Sequence, residues 1–136
     1  MSETRAFETE RAGPAFDALA PDGSEIRLLP GLRGGSAAHG TLPPGGVSFA
    51  VRHRTVEEIW YVLGGRGQVW RQQGSREEVV GVEPGVALTI PLGTHFQFRN
   101  PGAEPLTFFI VTVPPWPGEQ EAVRVPDHWP PPPARA

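Results

Sequence analysis

The chain has 136 residues with 12 basic and 15 acidic side chains, which is room for one domain and no basic footprint for nucleic acid or an anionic membrane. It has no cysteine, so disulfide scaffolds, thiol nucleophiles and thiolate metal sites are excluded together. No apolar run approaches the roughly 20 residues of a membrane span, and Met1 to Arg11 is too charged for a signal peptide, so the expectation is a soluble, cytoplasmic protein.

In chain order, residues 1–20 read as an N-terminal arm, charged and without a clear apolar stripe from Met1 to Pro14. From residue 21 to residue 113, turn signals recur at short intervals: Pro21-Asp22-Gly23, Pro30-Gly31, Gly34-Gly35, Pro43-Pro44-Gly45-Gly46, Gly64-Gly65, Gln73-Gly74-Ser75, Glu83-Pro84-Gly85 and Asn100-Pro101-Gly102. The segments between them are mostly too short for helices. Strands are expected at Glu25 to Leu29, Gln68 to Gln73, Glu77 to Val82, Val86 to Ile90, Phe96 to Arg99 and Leu106 to Val113. The stretch from Gly34 to Gly40, which holds His39, reads as a flexible lead-in to the strands, and Gly64 to Gly67 as a hairpin turn. Val47 to Leu63 lacks glycine and proline. Its first half alternates, with Val47, Phe49, Val51 and His53 on one side, and its second half is β-branched and aromatic. It reads as two strands joined by a bend at Thr55-Val56-Glu57. Residues 114–136 hold eight of the 17 prolines and form a stiff tail that suits no sheet interior, free to wrap the barrel or to reach a second subunit through Trp116. Many short strands with little helix predict an all-β sandwich or small barrel, closed or nearly closed at its edges.

Two spaced sets of residues sharpen this. The first runs Gly45, Val51, His53, Glu58, Gly65, and the second runs Gly85, Pro91, Gly93, Phe96, Asn100. With these residues the chain resembles the cupins, double-stranded β-helix (jelly-roll) barrels. Their first motif reads Gly, five residues, His-x-His, three or four residues, Glu, six residues, Gly. Their second reads Gly, five residues, Pro-x-Gly, two residues, His, three residues, Asn. Every glycine, the proline and the asparagine falls in place. The two positions that fail are both metal ligands: Val51 and Phe96 stand where the family has histidines. The resemblance implies a divalent metal (iron, manganese, nickel, copper or zinc), of whose ligands this chain keeps His53 and Glu58. A one-residue slip of the strand would bring His95 and Gln97 inward as substitutes, giving a metal set of His53, Glu58 and His95. The family's usual register points Phe96 and Phe98 inward and His95, Gln97 and Arg99 away.

The candidate catalytic pair is His53 and Glu58. A carboxyl that enters the strand Ile59-Trp60-Tyr61 must be paired or protonated, and His53 is its expected partner. Val51, Trp60, Phe96, Phe98 and Gln97 are the expected lining of the pocket. Three readings follow. One is a cupin-type enzyme acting on a small molecule, an isomerase, oxygenase or lyase, with a reduced or shifted metal site. Another is a metal-free enzyme in which His53 and Glu58 move a proton. The third is a small-molecule-binding or regulatory barrel without catalysis. The resemblance also implies a homodimer.

Overall fold

The computed structural model describes residues 5–131, so residues 1–4 of the expected arm and 132–136 of the expected tail lie outside the described residues. Eleven strands occur among them, together with one turn of 3-10 helix at Glu119–Glu121. No helix is long and apolar enough to cross a membrane among the described residues. The strands are β1 (Ala18–Leu19), β2 (Glu25–Gly31), β3 (Ser36–Leu42), β4 (Val51–His53), β5 (Glu57–Gly64), β6 (Gly67–Gln73), β7 (Arg76–Val82), β8 (Ala87–Ile90), β9 (His95–Arg99), β10 (Leu106–Val113) and β11 (Ala122–Arg124). They form two antiparallel sheets. Sheet A has the order β1-β2-β3-β10-β5-β8, and sheet B the order β11-β4-β9-β6-β7. The fold is all-β, as the spacing of turns predicts, and takes the jelly-roll form that the resemblance implies.

Three features differ from the sequence reading. The lead-in stretch with His39 is not a flexible segment; it is β3, in the middle of sheet A between β2 and β10. Its small residues hid it, and one of them is a packing requirement: a Cβ on Gly40 would sit 2.6 Å from the Phe108 ring. Gly64 to Gly67 does not turn a hairpin. β5 lies in sheet A and β6 in sheet B, so these glycines carry the chain around a corner between sheets. Gly65 has φ +77°, and a Cβ there would collide with the Pro105 carbonyl oxygen, so glycine is required twice over. Finally, the tail does contribute a strand: β11 takes the edge of sheet B beside β4, where a proline-flanked segment is tolerated.

The inner faces show the period of two that a half-buried sheet demands. In β5, Glu58, Trp60 and Val62 are buried while Glu57, Ile59, Tyr61 and Leu63 are exposed. In β10, Leu106, Phe108, Ile110 and Thr112 point inward. One end of the barrel is filled by Leu42, Val62, Val69, Phe98 and Leu106. Trp60 occupies the middle, stacked on Phe108 with ring centroids 4.6 Å apart and meeting the Phe98 ring edge-on at 5.0 Å. The opposite end is hollow.

The tail folds back over the outside of its own barrel. Gln97 is fully buried there: its Nε2 donates to the carbonyls of Ser48 (2.8 Å) and Trp129 (2.7 Å), and its Oε1 accepts the backbone N–H groups of His128 and Trp129. The His128 ring stacks on Trp70. Arg99 lies over Trp129 at 4.4 Å, and Asp127 accepts the Ala50 N–H at 3.0 Å. At the other terminus, Arg27 donates to the carbonyls of Gly13 and Pro14.

Candidate functional site

The hollow end is a cavity of about 410 Å³ between the two sheets. β2 and β3 supply Ile26, Leu28, Ala37 and Ala38; β4 supplies Val51 and His53; β5 supplies Glu58 and Trp60; β10 supplies Phe108, Ile110 and Thr112. The segment from Ala18 to Ser24 and the segment from Trp116 to Ala122 complete the wall. Leu19, Leu28 and Glu119 are exposed and mark the mouth. The wall is mostly apolar with a few convergent polar groups, the usual character of a small-molecule site.

Glu58 is placed by sheet pairing. It lies opposite Thr112 across the β5–β10 ladder, and the Thr112 hydroxyl donates to its Oε2 at 2.7 Å. Trp60, two residues along the same face, donates its indole N–H to Oε1 at 3.0 Å. Burial pushes the Glu58 carboxyl above its ordinary pKa, against the pull of these two bonds.

His53 comes from the facing sheet and is 5 % exposed. Its ring meets Phe96 at 5.2 Å and Trp116 at 5.4 Å, both edge-on. Nδ1 is buried without a hydrogen-bond partner, and no bond holds the other ring nitrogen among the described residues. Burial pulls its pKa below the ordinary value, and the charges of Asp22 and Glu121 only partly oppose this. The imidazole is therefore neutral at pH 7, with one nitrogen able to accept a proton. The expected His53–Glu58 bond is absent: Glu58 is committed to its own sheet, and His53 faces it across the cavity.

The sequence reading missed two carboxyls here. Asp22, read only as a turn residue, lines the cavity. Its Oδ1 accepts the Ser24 N–H (2.9 Å) and hydroxyl (2.6 Å), the Asx arrangement that a Asp-Gly-Ser turn permits. Burial raises its pKa, and the nearby Glu58 adds to the shift. Glu121 lies behind the wall and accepts the Thr55 N–H (2.6 Å), the Thr55 hydroxyl (2.6 Å) and the Val56 N–H (2.9 Å). Burial opposes its ionisation, but these bonds outweigh that and hold its pKa below the ordinary value. Glu121 thus fastens the bend between β4 and β5 and with it the spacing from His53 to Glu58. An acidic residue in a proline-rich tail gives no sign of this in the sequence.

Of the other expected site residues, Val51 and Trp60 line the cavity. Phe96 and Phe98 belong to the packed core and not to the wall, because the middle of β9 is covered by the Trp60 ring. Gln97 is on the opposite face of β9, engaged by the tail. His95 shares that outward parity, opposite Gln72, so the strand does not slip and His95 does not join His53 and Glu58.

The metal set suggested by the resemblance does not fit. Val51 and Phe96 are cross-strand partners with apolar side chains in two of the four ligand positions, and the Phe96 ring packs against His53. No group of three His, Cys, Asp or Glu that could hold a metal ion occurs among the described residues.

The model of the cupin domain matches residues 38–112. An uncharacterised protein of Methanocaldococcus jannaschii, MJ1618, is 32% identical over 117 residues, covering 79% of this chain and 90% of that protein. A cupin 2 conserved barrel domain protein from Salinispora arenicola superposes with a TM-score of 0.66 at 20% identity, covering 80% of this chain and 90% of its own. Bacillus subtilis oxalate decarboxylase gives a TM-score of 0.60 at 17% identity; 65% of this chain matches 25% of that one, so the likeness is to one barrel of a longer protein and concerns the fold. Two turn motifs, two sheets with a hollow end and a family match over more than half of the chain make this protein a member of the cupin family.

Proposed function

We propose that this cupin takes a small, largely apolar organic molecule into the hollow end of its barrel and moves a proton on it, His53 serving as the proton acceptor and the Glu58 carboxyl as its counterpart on the facing wall. One observation carries the reading: a buried, uncharged imidazole without a hydrogen-bond partner lines a cavity into which a carboxyl with a raised pKa also projects. The second ring nitrogen of His53 carries no bond among the described residues and is not shielded as Nδ1 is, so it is the one open to a polar group of a bound ligand. An uncharged imidazole that accepts a proton and a carboxyl that takes one up more readily than in water suit proton transfer on a bound molecule.

The test is a ligand-observed NMR screen of small metabolites in D2O. Wild type broadens the lines of a bound molecule and introduces solvent deuterium at the carbon whose proton moves. His53→Phe and Glu58→Gln each abolish the incorporation while retaining the fold. Incorporation that survives both substitutions refutes proton transfer, and no binding by any molecule refutes the cavity as a site. Binding without incorporation supports a carrier or sensor, a reading favoured by the apolar Val51 and Phe96.

We also propose a homodimer. Ile59, Tyr61, Leu63 and Val113, each about half exposed, project from the outer face of sheet A and support it. Light scattering that reports the 14.7 kDa monomer refutes it.

A further inference from the structure

The cavity has a charge character that its apolar wall conceals. Asp22 and Glu58 project into it, Glu119 stands at its mouth, and Glu121 lies close enough behind to influence both His53 and Glu58. No arginine is in the wall among the described residues, and the chain has no lysine. A low-dielectric cleft with carboxyls of one sign focuses their field, so an anion meets repulsion on entry and a cation meets attraction. His53 lines the same cavity, 95% buried, and neither of its ring nitrogens has a hydrogen-bond partner among the described residues.

We propose that the hollow end selects a small organic cation, an ammonium group on an apolar body, with the ammonium held between Asp22 and Glu58 beside His53 and the body against Ile26, Ala38, Val51 and Ile110. This rests on the cavity being the ligand site, and it names the class of ligand. Asp22 Oδ1 is used by Ser24, but no bond occupies Oδ2 among the described residues, leaving it free to accept an ammonium N–H. Each Glu58 oxygen carries one donor and retains capacity for a second. Trp60 and Trp116 line the same cavity and add aromatic wall beside the charged group. The volume, about that of fourteen waters at roughly 30 Å³ each, suits a small amine with one ring or a short chain. A dicarboxylate of the kind named in the Bacillus decarboxylase would meet carboxyls and no arginine.

The experiment compares three probes with one apolar body: 3-phenylpropylamine, 3-phenylpropan-1-ol and 3-phenylpropionate, each titrated calorimetrically into the full chain at pH 7. The amine is expected to bind at least about tenfold tighter than the alcohol, and the carboxylate at least about tenfold more weakly than the alcohol. Asp22→Asn and Glu58→Gln each weaken the amine by about tenfold and leave the alcohol within about twofold. Glu119→Gln, an exposed change that does not threaten folding, weakens the amine by a smaller factor that vanishes in high salt. A carboxylate that binds as well as the amine overturns the inference, as does an amine preference untouched in all three variants. Binding of the alcohol without preference for the amine overturns the charge selection alone and leaves the proposed proton transfer standing. Failure of all three probes overturns the selection, and the deuterium screen then judges the cavity independently.

Discussion

Glu58→Gln and Glu58→Leu together separate a carboxyl kept for chemistry from one kept for structure. Glu58 accepts from the Trp60 indole and the Thr112 hydroxyl, and both partners are nearly inaccessible to water, at 3 % and 4 % exposure. Glutamine retains a carbonyl for the indole. Its amide donates to Thr112 Oγ1 once that hydroxyl rotates, so the indole and the hydroxyl oxygen each keep a partner. Two bonds to a charged acceptor become neutral ones, a loss of about 1–2 kcal/mol in total. The exchange also removes the cost of burying a carboxylate, which acts in the opposite direction. The net change at pH 7 is expected to lie within about 1 kcal/mol of zero. Leucine strands the indole N–H and the hydroxyl, at about 1–3 kcal/mol each, so about 2–6 kcal/mol is lost. The pH dependence supplies a second arm. A carboxyl whose folded pKa is raised above its ordinary 4.5 binds its proton more tightly in the folded state. Its burial cost is therefore absent below pH 4.5 and complete above the folded pKa, so the glutamine variant gains on wild type as pH rises through that window. Urea unfolding followed by tryptophan emission measures both effects. A glutamine variant as unstable as the leucine variant, or a difference from wild type that is flat with pH, would refute the reasoning.

Three further expectations follow from the same geometry. Glu121→Ala removes three bonds at the β4–β5 bend and strands the fully buried Val56 N–H, so about 3 kcal/mol is lost at pH 7. Because the folded Glu121 pKa lies below 4.5, that difference closes as pH falls through the folded value, which acid and neutral unfolding curves check. His53 has a folded pKa below 6.5, so its contribution is complete above that pH and is lost as pH falls toward the folded value; His53→Phe therefore loses less stability than wild type on acidification. The pair Val51→His and Phe96→His restores histidines at directly paired inward positions; it costs about 3 kcal/mol or more without metal but creates a one-to-one cobalt site visible by absorption and by a raised melting temperature. A double variant without a cobalt spectrum shows that these positions do not converge on His53 and Glu58.

The architecture was legible because its punctuation is chemical. Gly45, Gly65, Gly85 and Gly93 all take positive φ, and the alternation in Val47 to Leu63 divides at a real bend between β4 and β5. The direction of His95 followed from parity alone once Phe96 and Phe98 were inward. What stayed hidden depends on contacts distant in sequence. β3 carries Gly40 because the Phe108 ring leaves no room for a side chain there, and composition cannot distinguish such a small-residue strand from a loop. A glycine corner between sheets has the same local chemistry as a hairpin. Asp22 carries a turn signal that masks its second role, and Glu121 reaches the bend at Thr55 and Val56 across 65 residues of chain. The His53–Glu58 pairing was misjudged because adjacency in a motif does not reveal that the two residues sit on facing sheets.

Ring-nitrogen NMR of the four histidines, recorded with and without 3-phenylpropylamine or 3-phenylpropan-1-ol, probes the cavity most directly. His53 is predicted to be neutral at pH 7 and to shift on addition of a probe, while His39, His95 and His128 stay in place. A His53 that titrates near 6.5, or that stays still while a distant histidine moves, would contradict the account.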